Sequence, residues 1–297
     1  MQYLLQADNM NNIFYHLCDD LIFKFDNELY VRGLSIKEFI DAKIVLTNPY
    51  NRFISIEKRE MDMRYFVGEL CFYLSGSDEL AFINHYSKFW KNISDDYIHI
   101  RSGYGKRLFF DQTTEIRGFN YPRSQFDYAF DNLIKDESTR KAVMLINNYT
   151  DSRESKDNPC TMYLQFFIRR NKLYLITYMR SNDIWFGLTY DIPFFTIVQE
   201  IMFIKLKLRY PQLQMGTYIH SVGSLHLYLK DYGRAEDLLK NDSGVKEEKV
   251  LAPRLCQEDI DHWFQNLLSY EELKRRELTG RTSGIETDFQ KWCKNYL

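Results

Sequence analysis

Residues 192–208 read Ile-Pro-Phe-Phe-Thr-Ile-Val-Gln-Glu-Ile-Met-Phe-Ile-Lys-Leu-Lys-Leu. The run has helix length and is apolar nearly all round, so the helix it predicts must be buried at the centre of the fold. Hiding such a helix takes a large core. The 297 residues, 45% hydrophobic and 16% aromatic, supply one. No run of about 18 apolar residues occurs, which argues against a transmembrane helix.

The segments around it alternate irregularly. Met63, Phe66, Val67, Leu70, Cys71 and Leu74 recur at helical spacing and Gly76 closes the pattern, predicting a helix over 61–75. Phe126, Ala129, Phe130, Leu133 and Ile134 predict another over 124–135. Ala142–Ile146 reads as a short buried strand. Thr161–Ile168 and Leu173–Met179 flank Arg169-Arg170-Asn171-Lys172 and read as a hairpin, and Tyr218–Tyr228 reads as a strand. Glu258–Glu277 and Ile285–Tyr296 read as amphipathic helices. This mixed order argues for an α+β fold rather than regular βαβ alternation. A boundary near 241–250 divides residues 1–240, a main domain, from 241–297, a helical extension packed on it.

The formal net charge of −2 offers no global field for nucleic acid or a membrane surface. Five cysteines (18, 71, 160, 256, 293) are odd in number and widely spaced, which supports neither a disulfide framework nor a zinc site. Reduced thiols in a cytoplasmic setting are the expectation. The start, Met1-Gln-Tyr-Leu-Leu-Gln-Ala-Asp8, carries no basic segment of the kind that opens a signal peptide. Phosphate-loop, dinucleotide, Gly-x-Ser-x-Gly and His-Glu-x-x-His motifs are absent from the sequence.

Several residues could carry chemistry. Cys160 follows Asn158-Pro159 at a strand entrance, where a thiolate can face a cleft and act as a nucleophile. Arg180-Ser181 places a guanidinium beside a hydroxyl, a phosphate grip. His226 and Tyr228, two apart on a strand, share a face, and His220 shares it by the same spacing. Glu69 lies within the apolar pattern of its helix, where a carboxylate needs a partner or a purpose. Taken alone, each has a plainer and commoner reading: a small buried hydrophobe, a solvated strand end, a half-buried sheet pair, a salt-bridged helix glutamate.

Taken together, their order resembles the thymidylate synthase superfamily over roughly residues 45–235. Glu69-Leu-Cys-Phe-Tyr-Leu-Ser-Gly76 resembles its glutamate helix, Tyr104-Gly-Lys-Arg107 its Tyr-Gly loop, and Ser138-Thr-Arg140-Lys141 its phosphate segment. Asn158-Pro-Cys160-Thr-Met-Tyr-Leu-Gln165-Phe resembles its nucleophile strand; Arg180–Asp191 and His220–Tyr228 complete the set. The resemblance implies a sheet-mediated homodimer, with Arg140 and Lys141 donated across the interface to the nucleotide phosphate. It implies that Arg52, Arg180 and Ser181 complete the phosphate clamp, and that His226 and Tyr228 hold the sugar hydroxyl. Gln165, Asn182 and Asp183 would also line the nucleotide site. Glu69, Asp183, Gly187 and Trp90 would face 5,10-methylenetetrahydrofolate, the implied co-substrate, with no metal. Cys160 would add to C6 of a pyrimidine, and Glu69, with a water near Tyr104, would move protons.

One departure selects a branch. The synthases place an asparagine where this chain has Asp191, and the amide complements uracil. A carboxylate only accepts, which suits the 4-amino group of cytosine and repels uracil O4. The motif Arg180-Ser-Asn-Asp183-Ile-Trp-Phe-Gly187 with Asp191 is similar to the deoxycytidylate hydroxymethylases, as is Thr161 after the nucleophile. The expectation is conversion of dCMP or CMP to its 5-hydroxymethyl form. The alternatives are a thymidylate synthase or hydroxymethylase acting on dUMP, and a catalytically inert relative kept for binding.

Overall fold

A computed structural model describes residues 3–24, 28–31, 33–110, 124–147, 151, 154–241 and 252–297. β1 (Tyr3–Ala7), α1 (Met10–Phe23), β2 (Glu28–Val31), β3 (Leu34–Leu46), α2 (Met63–Ser75), α3 (Leu80–Tyr86) and α4 (Trp90–Ile93) come first. α5 (Gln125–Lys135), β4 (Val143–Leu145), β5 (Thr161–Arg169), β6 (Lys172–Asp183), α6 (Gly187–Lys207) and β7 (Gln214–Tyr228) follow. α7 (Tyr232–Asn241), α8 (Gln257–Asp261), α9 (Gln265–Arg275) and α10 (Asp288–Lys294) complete the order. Strands pair both parallel and antiparallel, and the fold is α+β as expected. The chain divides into two compact units.

The first unit comprises Met1–Met61, Lys172–Gln199 and Gln214–Leu251. Its strands run β1-β3-β7-β6. β1 is parallel to β3, β3 antiparallel to β7, and β7 parallel to β6; β2 folds back on the start of β3. α1 begins at Asn9, whose side chain accepts from Asn12 N at 2.8 Å, a standard helix N-cap. Its buried face, Ile13, Phe14, Leu17 and Leu21, supplies the core on which the sheet rests.

A kink crosses three strands of this unit. On β3 and β7 the register passes from Ala42↔Val222 to Ile40↔Ser224, omitting Asp41, which has φ 55°. On β6 and β7 it passes from Met179↔Val222 to Ser181↔Ser224, omitting Arg180 and Gly223. An added Cβ at Gly223 would stand 2.8 Å from the Arg180 carbonyl oxygen, so only glycine permits this approach. Along β6 the buried positions shift from odd numbers (173, 175, 177, 179) to Asn182. An irregularity of this kind re-aims the side chains beyond it.

The second unit comprises Asp62–Asn171, Glu200–Leu213 and Ala252–Leu297. α2 is the helix read from the sequence, capped by Asp62 onto Tyr65 N at 2.9 Å. β4 pairs antiparallel with β5, with Val143 opposite Gln165. The tail is anchored here: Trp263 Nε1 donates to Leu74 O at 2.8 Å, and Tyr86 Oη donates to Glu271 Oε1 at 2.7 Å. Arg275 Nε donates to the same Glu271 oxygen at 2.7 Å and lies 3.9 Å above the Phe82 ring.

Two elements differ from expectation. The apolar helix begins at Gly187, five residues earlier than read, with Pro193 inside it. Proline withholds the N–H that would reach the Thr189 carbonyl; the buried Thr189 and Thr196 hydroxyls satisfy themselves within the helix, donating to Phe186 O at 3.0 Å and Ile192 O at 2.8 Å. The helix expected over Glu258–Glu277 is broken, because Trp263 (φ 42°) and Phe264 (φ 55°) turn left-handed and Phe264 is fully buried. Of the boundary stretch 241–250, Asn241 ends α7 and 242–250 lie outside the described residues.

Gly223→Ala should lower stability by about 1–3 kcal/mol, the usual cost of forcing an atom into packed backbone. Urea unfolding monitored by tryptophan fluorescence measures it.

Candidate functional site

The expected site residues fall into two clusters, one in each unit. In the first unit they gather where β6 meets α6. Asp183 Oδ1 accepts from Trp185 N at 3.1 Å and Oδ2 from Phe186 N at 2.9 Å, so its carboxylate shapes the turn into α6. The turn is held from the other side by Arg59, a residue that pattern reading passes over. Arg59 Nη2 donates to Trp185 O at 2.5 Å and to Thr189 Oγ1 at 2.9 Å, and Nε to Trp185 O at 3.2 Å. The guanidinium is buried and lies 5.5 Å from the Trp185 ring centroid. Burial pulls its affinity for a proton down. Its partner carbonyl is 126 positions away, which no local motif reveals.

Asp191 sits on the second turn of α6 and receives Asn182 Nδ2 at 2.8 Å. Asn182 Oδ1 lies 2.9 Å from His220 Nε2, and His220 Nδ1 lies 2.8 Å from Tyr218 Oη. Tyr218 and His220 have no exposed surface and Asn182 is 4% exposed. Gly187 makes room for this chain, since a Cβ there would stand 2.7 Å from Asn182 Nδ2. Desolvation pushes Asp191 up to about 7; the Asn182 hydrogen bond opposes that shift and the Asp183 charge adds to it. Desolvation also pulls His220 down to about 3, so it is neutral.

The remaining residues of this cluster are placed as follows. His226 is buried, pairs in register with Asp183, and meets the Tyr228 ring edge-on at 4.9 Å. Arg52 is buried with its guanidinium 5.8 Å from the Tyr50 ring centroid. Arg180 and Ser181 are half-buried at the kink.

In the second unit, Glu69 is buried, and two phenols donate to its Oε1: Tyr65 at 2.9 Å and Tyr73 at 3.1 Å. Trp90 Nε1 donates to Tyr65 Oη at 3.1 Å, which joins Trp90 to the same group. Tyr104 stacks on Tyr73, with centroids 5.5 Å apart and planes 11° apart. Glu69, Trp90 and Tyr104 therefore form one cluster through Tyr65 and Tyr73.

Cys160 is half-buried at the mouth of β5. The loop before it is braced. Asn147 Nδ2 donates to Asn158 Oδ1 at 3.1 Å, Asn158 Nδ2 to Asp151 O at 2.9 Å, and Arg107 grips Asp151 with both terminal nitrogens, at 2.5 and 2.9 Å. The other four thiols are pushed up by burial, Cys256 to about 11. Gln165 Nε2 donates to Arg140 O at 2.9 Å, and the Arg140 and Lys141 side chains are exposed. Among the described residues no group of three or more His, Cys, Asp or Glu could hold a metal, and no helix is long and apolar enough to cross a membrane.

Residues 31–265 match the thymidylate synthase family, and the chain belongs to it. The deoxyuridylate hydroxymethyltransferase of Bacillus phage SP01 is 32% identical over 239 residues, covering 78% of this chain and 61% of that protein. The deoxyuridylate hydroxymethyltransferase of Delftia phage PhiW-14 is 26% identical over 216 residues, covering 68% and 56%. The chain thus spans less than two thirds of the length of these relatives. The structure of thermostable thymidylate synthase A from Bacillus subtilis superposes with a TM-score of 0.62 at 17% identity, over 79% of this chain and 85% of that one. That likeness establishes the fold.

Asp191 has a thermodynamic signature. Its native pKa of about 7 exceeds the unfolded value of about 4, so the folded state holds the proton more tightly. Its contribution to stability is complete below pH 4 and is lost as pH rises through 7. Asp191→Asn should therefore flatten the decline in urea midpoint between pH 5 and pH 8.

Proposed function

We propose that the chain is a C5-hydroxymethyltransferase of pyrimidine nucleoside monophosphates that uses methylenetetrahydrofolate and water, and that its base is cytosine. The observation that carries the base assignment is the amide of Asn182 donating to Asp191. A carboxylate fixed by a donor presents acceptors to what lies beyond it, and the exocyclic amino group of cytosine is a donor.

Position 5 of a pyrimidine is a weak nucleophile. Addition of the Cys160 thiolate at C6 makes an enamine whose C5 can attack an electrophile, splitting one hard step into two easier ones. The folate supplies a one-carbon unit at the oxidation level of formaldehyde. Loss of the C5 proton expels tetrahydrofolate and leaves a methylene on C5, to which water rather than hydride adds to give hydroxymethyl. Expulsion of Cys160 restores the C5–C6 double bond. Glu69, with Tyr65 and Tyr73 on one oxygen, is suited to hold that water and accept its proton. Asp183 suits a pterin: two of its roughly four acceptor sites take Trp185 N and Phe186 N, and the others can meet ring N–H donors.

Phosphate binding is assigned to Arg52, Arg180 and Ser181, and the sugar hydroxyl to His226 and Tyr228. The exposed Arg140 and Lys141 suit donation to a second copy's phosphate, which makes the working form a homodimer. A second reading, hydroxymethylation of dUMP, has two supports: the names of the phage relatives and the pKa of Asp191. Protonated, Asp191 would offer uracil O4 a donor and N3–H an acceptor, as an asparagine does.

Tritium release from [5-³H]dCMP, [5-³H]CMP and [5-³H]dUMP with methylenetetrahydrofolate decides between them. Release from a cytidine nucleotide, rising with pH through about 7 as Asp191 ionises, is the expected outcome. Cys160→Ala should abolish it, and release from dUMP alone would replace the cytidylate reading with the second one.

A further inference from the structure

The hydrogen bonds behind Asp191 have a direction. An ionised carboxylate only accepts, so Asn182 presents its nitrogen to Asp191 and its oxygen to His220. His220 must then donate from Nε2. Being neutral, it keeps a bare Nδ1, which accepts from Tyr218 Oη. The chain can also run fully reversed. A protonated Asp191 donates to Asn182 Oδ1, Asn182 Nδ2 donates to His220 Nε2, and His220 Nδ1–H donates to Tyr218 Oη.

The two directions differ in cost at one end. A phenol is a good donor and a poor acceptor, whereas a bare imidazole nitrogen is a good acceptor. Tyr218 therefore favours the direction in which Asp191 is a carboxylate. The chain is isolated from water at Tyr218 and His220, so neither can substitute a solvent partner. It is also fixed by backbone, because β6 and β7 set Thr177 opposite His220 and Asn182 opposite Leu225. Gly187, lacking a Cβ, leaves the Asn182 amide its place beside Asp191, where any side chain at 187 would displace it. Of the charged groups in this unit, Asp183 on β6 acts on Asp191 and opposes its ionisation. Tyr218 and His220 on β7 are both neutral.

We propose that Tyr218 and His220 are specificity-determining positioning residues, which act through Asn182 to keep Asp191 accept-only and so select a 4-aminopyrimidine over a 4-oxopyrimidine. The proposal rests on the reading of the chain as a cytidylate hydroxymethyltransferase and adds the device that sets its base preference.

The test compares Tyr218→Phe and His220→Phe with wild type by two readouts. One is the ratio of kcat/KM for dCMP to that for dUMP. The other is the titration midpoint of Asp191 in the nucleotide-free protein, followed by its ¹³C carboxyl resonance and assigned with Asp191→Asn. Both variants should raise the midpoint and lower the ratio, by roughly tenfold for loss of one buried hydrogen bond. Tyr218→Phe removes a single oxygen and keeps the assay readable if His220→Phe does not fold. An unmoved midpoint in a variant that melts like wild type overturns the proposal and leaves these residues as core packing. An unchanged ratio with a raised midpoint overturns the link to base choice. A wild-type chain inactive on dCMP overturns the proposed function instead, and the midpoint, read without nucleotide, separates the two failures.

Discussion

The turn from β6 into α6 depends on one buried cation. Arg59 holds the Trp185 carbonyl and the Thr189 hydroxyl while Asp183 holds the Trp185 and Phe186 amides. Donors on one side and acceptors on the other leave the turn a single satisfied conformation. Everything the turn carries inherits that rigidity: Asp183 itself, Gly187 against Asn182, and Asp191 one turn into the helix. A buried arginine is costly to desolvate, and here its hydrogen bonds and the faces of Trp185 and Phe14 offset that cost.

The kink just upstream complements the turn. Regular β6 would send Ser181 and Asp183 to one face and Arg180 and Asn182 to the other for its whole length. The break at Arg180 and Gly223 lets four consecutive residues meet four environments: the carbonyl-crowded kink, the strand surface, the buried amide relay and the helix turn. The phosphate, sugar, base and folate roles proposed for this unit need that variety within a short stretch.

Much of the fold was legible in the sequence because its signals are local. The helical spacing from Met63 to Leu74 with Gly76 beyond it, and the strands flanking Arg170-Asn171, both depend on neighbours. Arg170 and Asn171 indeed take φ 52° and 57°, the dihedrals of a two-residue reversal. The start of α6 was misread because a proline two residues into an apolar run looks like a first turn. Long-range carbonyl partners overrode that signal. The break at Trp263 and Phe264 was hidden for the same reason, since the tail's spacing is helical and its anchors are distant. Within the site, residue types that name their own chemistry were visible: a cysteine after proline, an aspartate replacing an amide. The supporting residues were not. Arg59, Tyr218 and Arg107 acquire meaning only from partners 126, 2 and 44 positions away, and the shortest of these needs a buried strand face to matter.

The tail binds α2 at its last turn, through Trp263 on Leu74, and α3 through Glu271 on Tyr86. α2 is the helix that carries Glu69, Tyr65 and Tyr73. A segment that reads as an appendage is therefore tied to the helix that carries the buried Glu69 cluster, and the two are expected to open together. A change in the helices after residue 252 that loosens Trp263 or Glu271 would therefore reach Glu69 through its own helix without touching it.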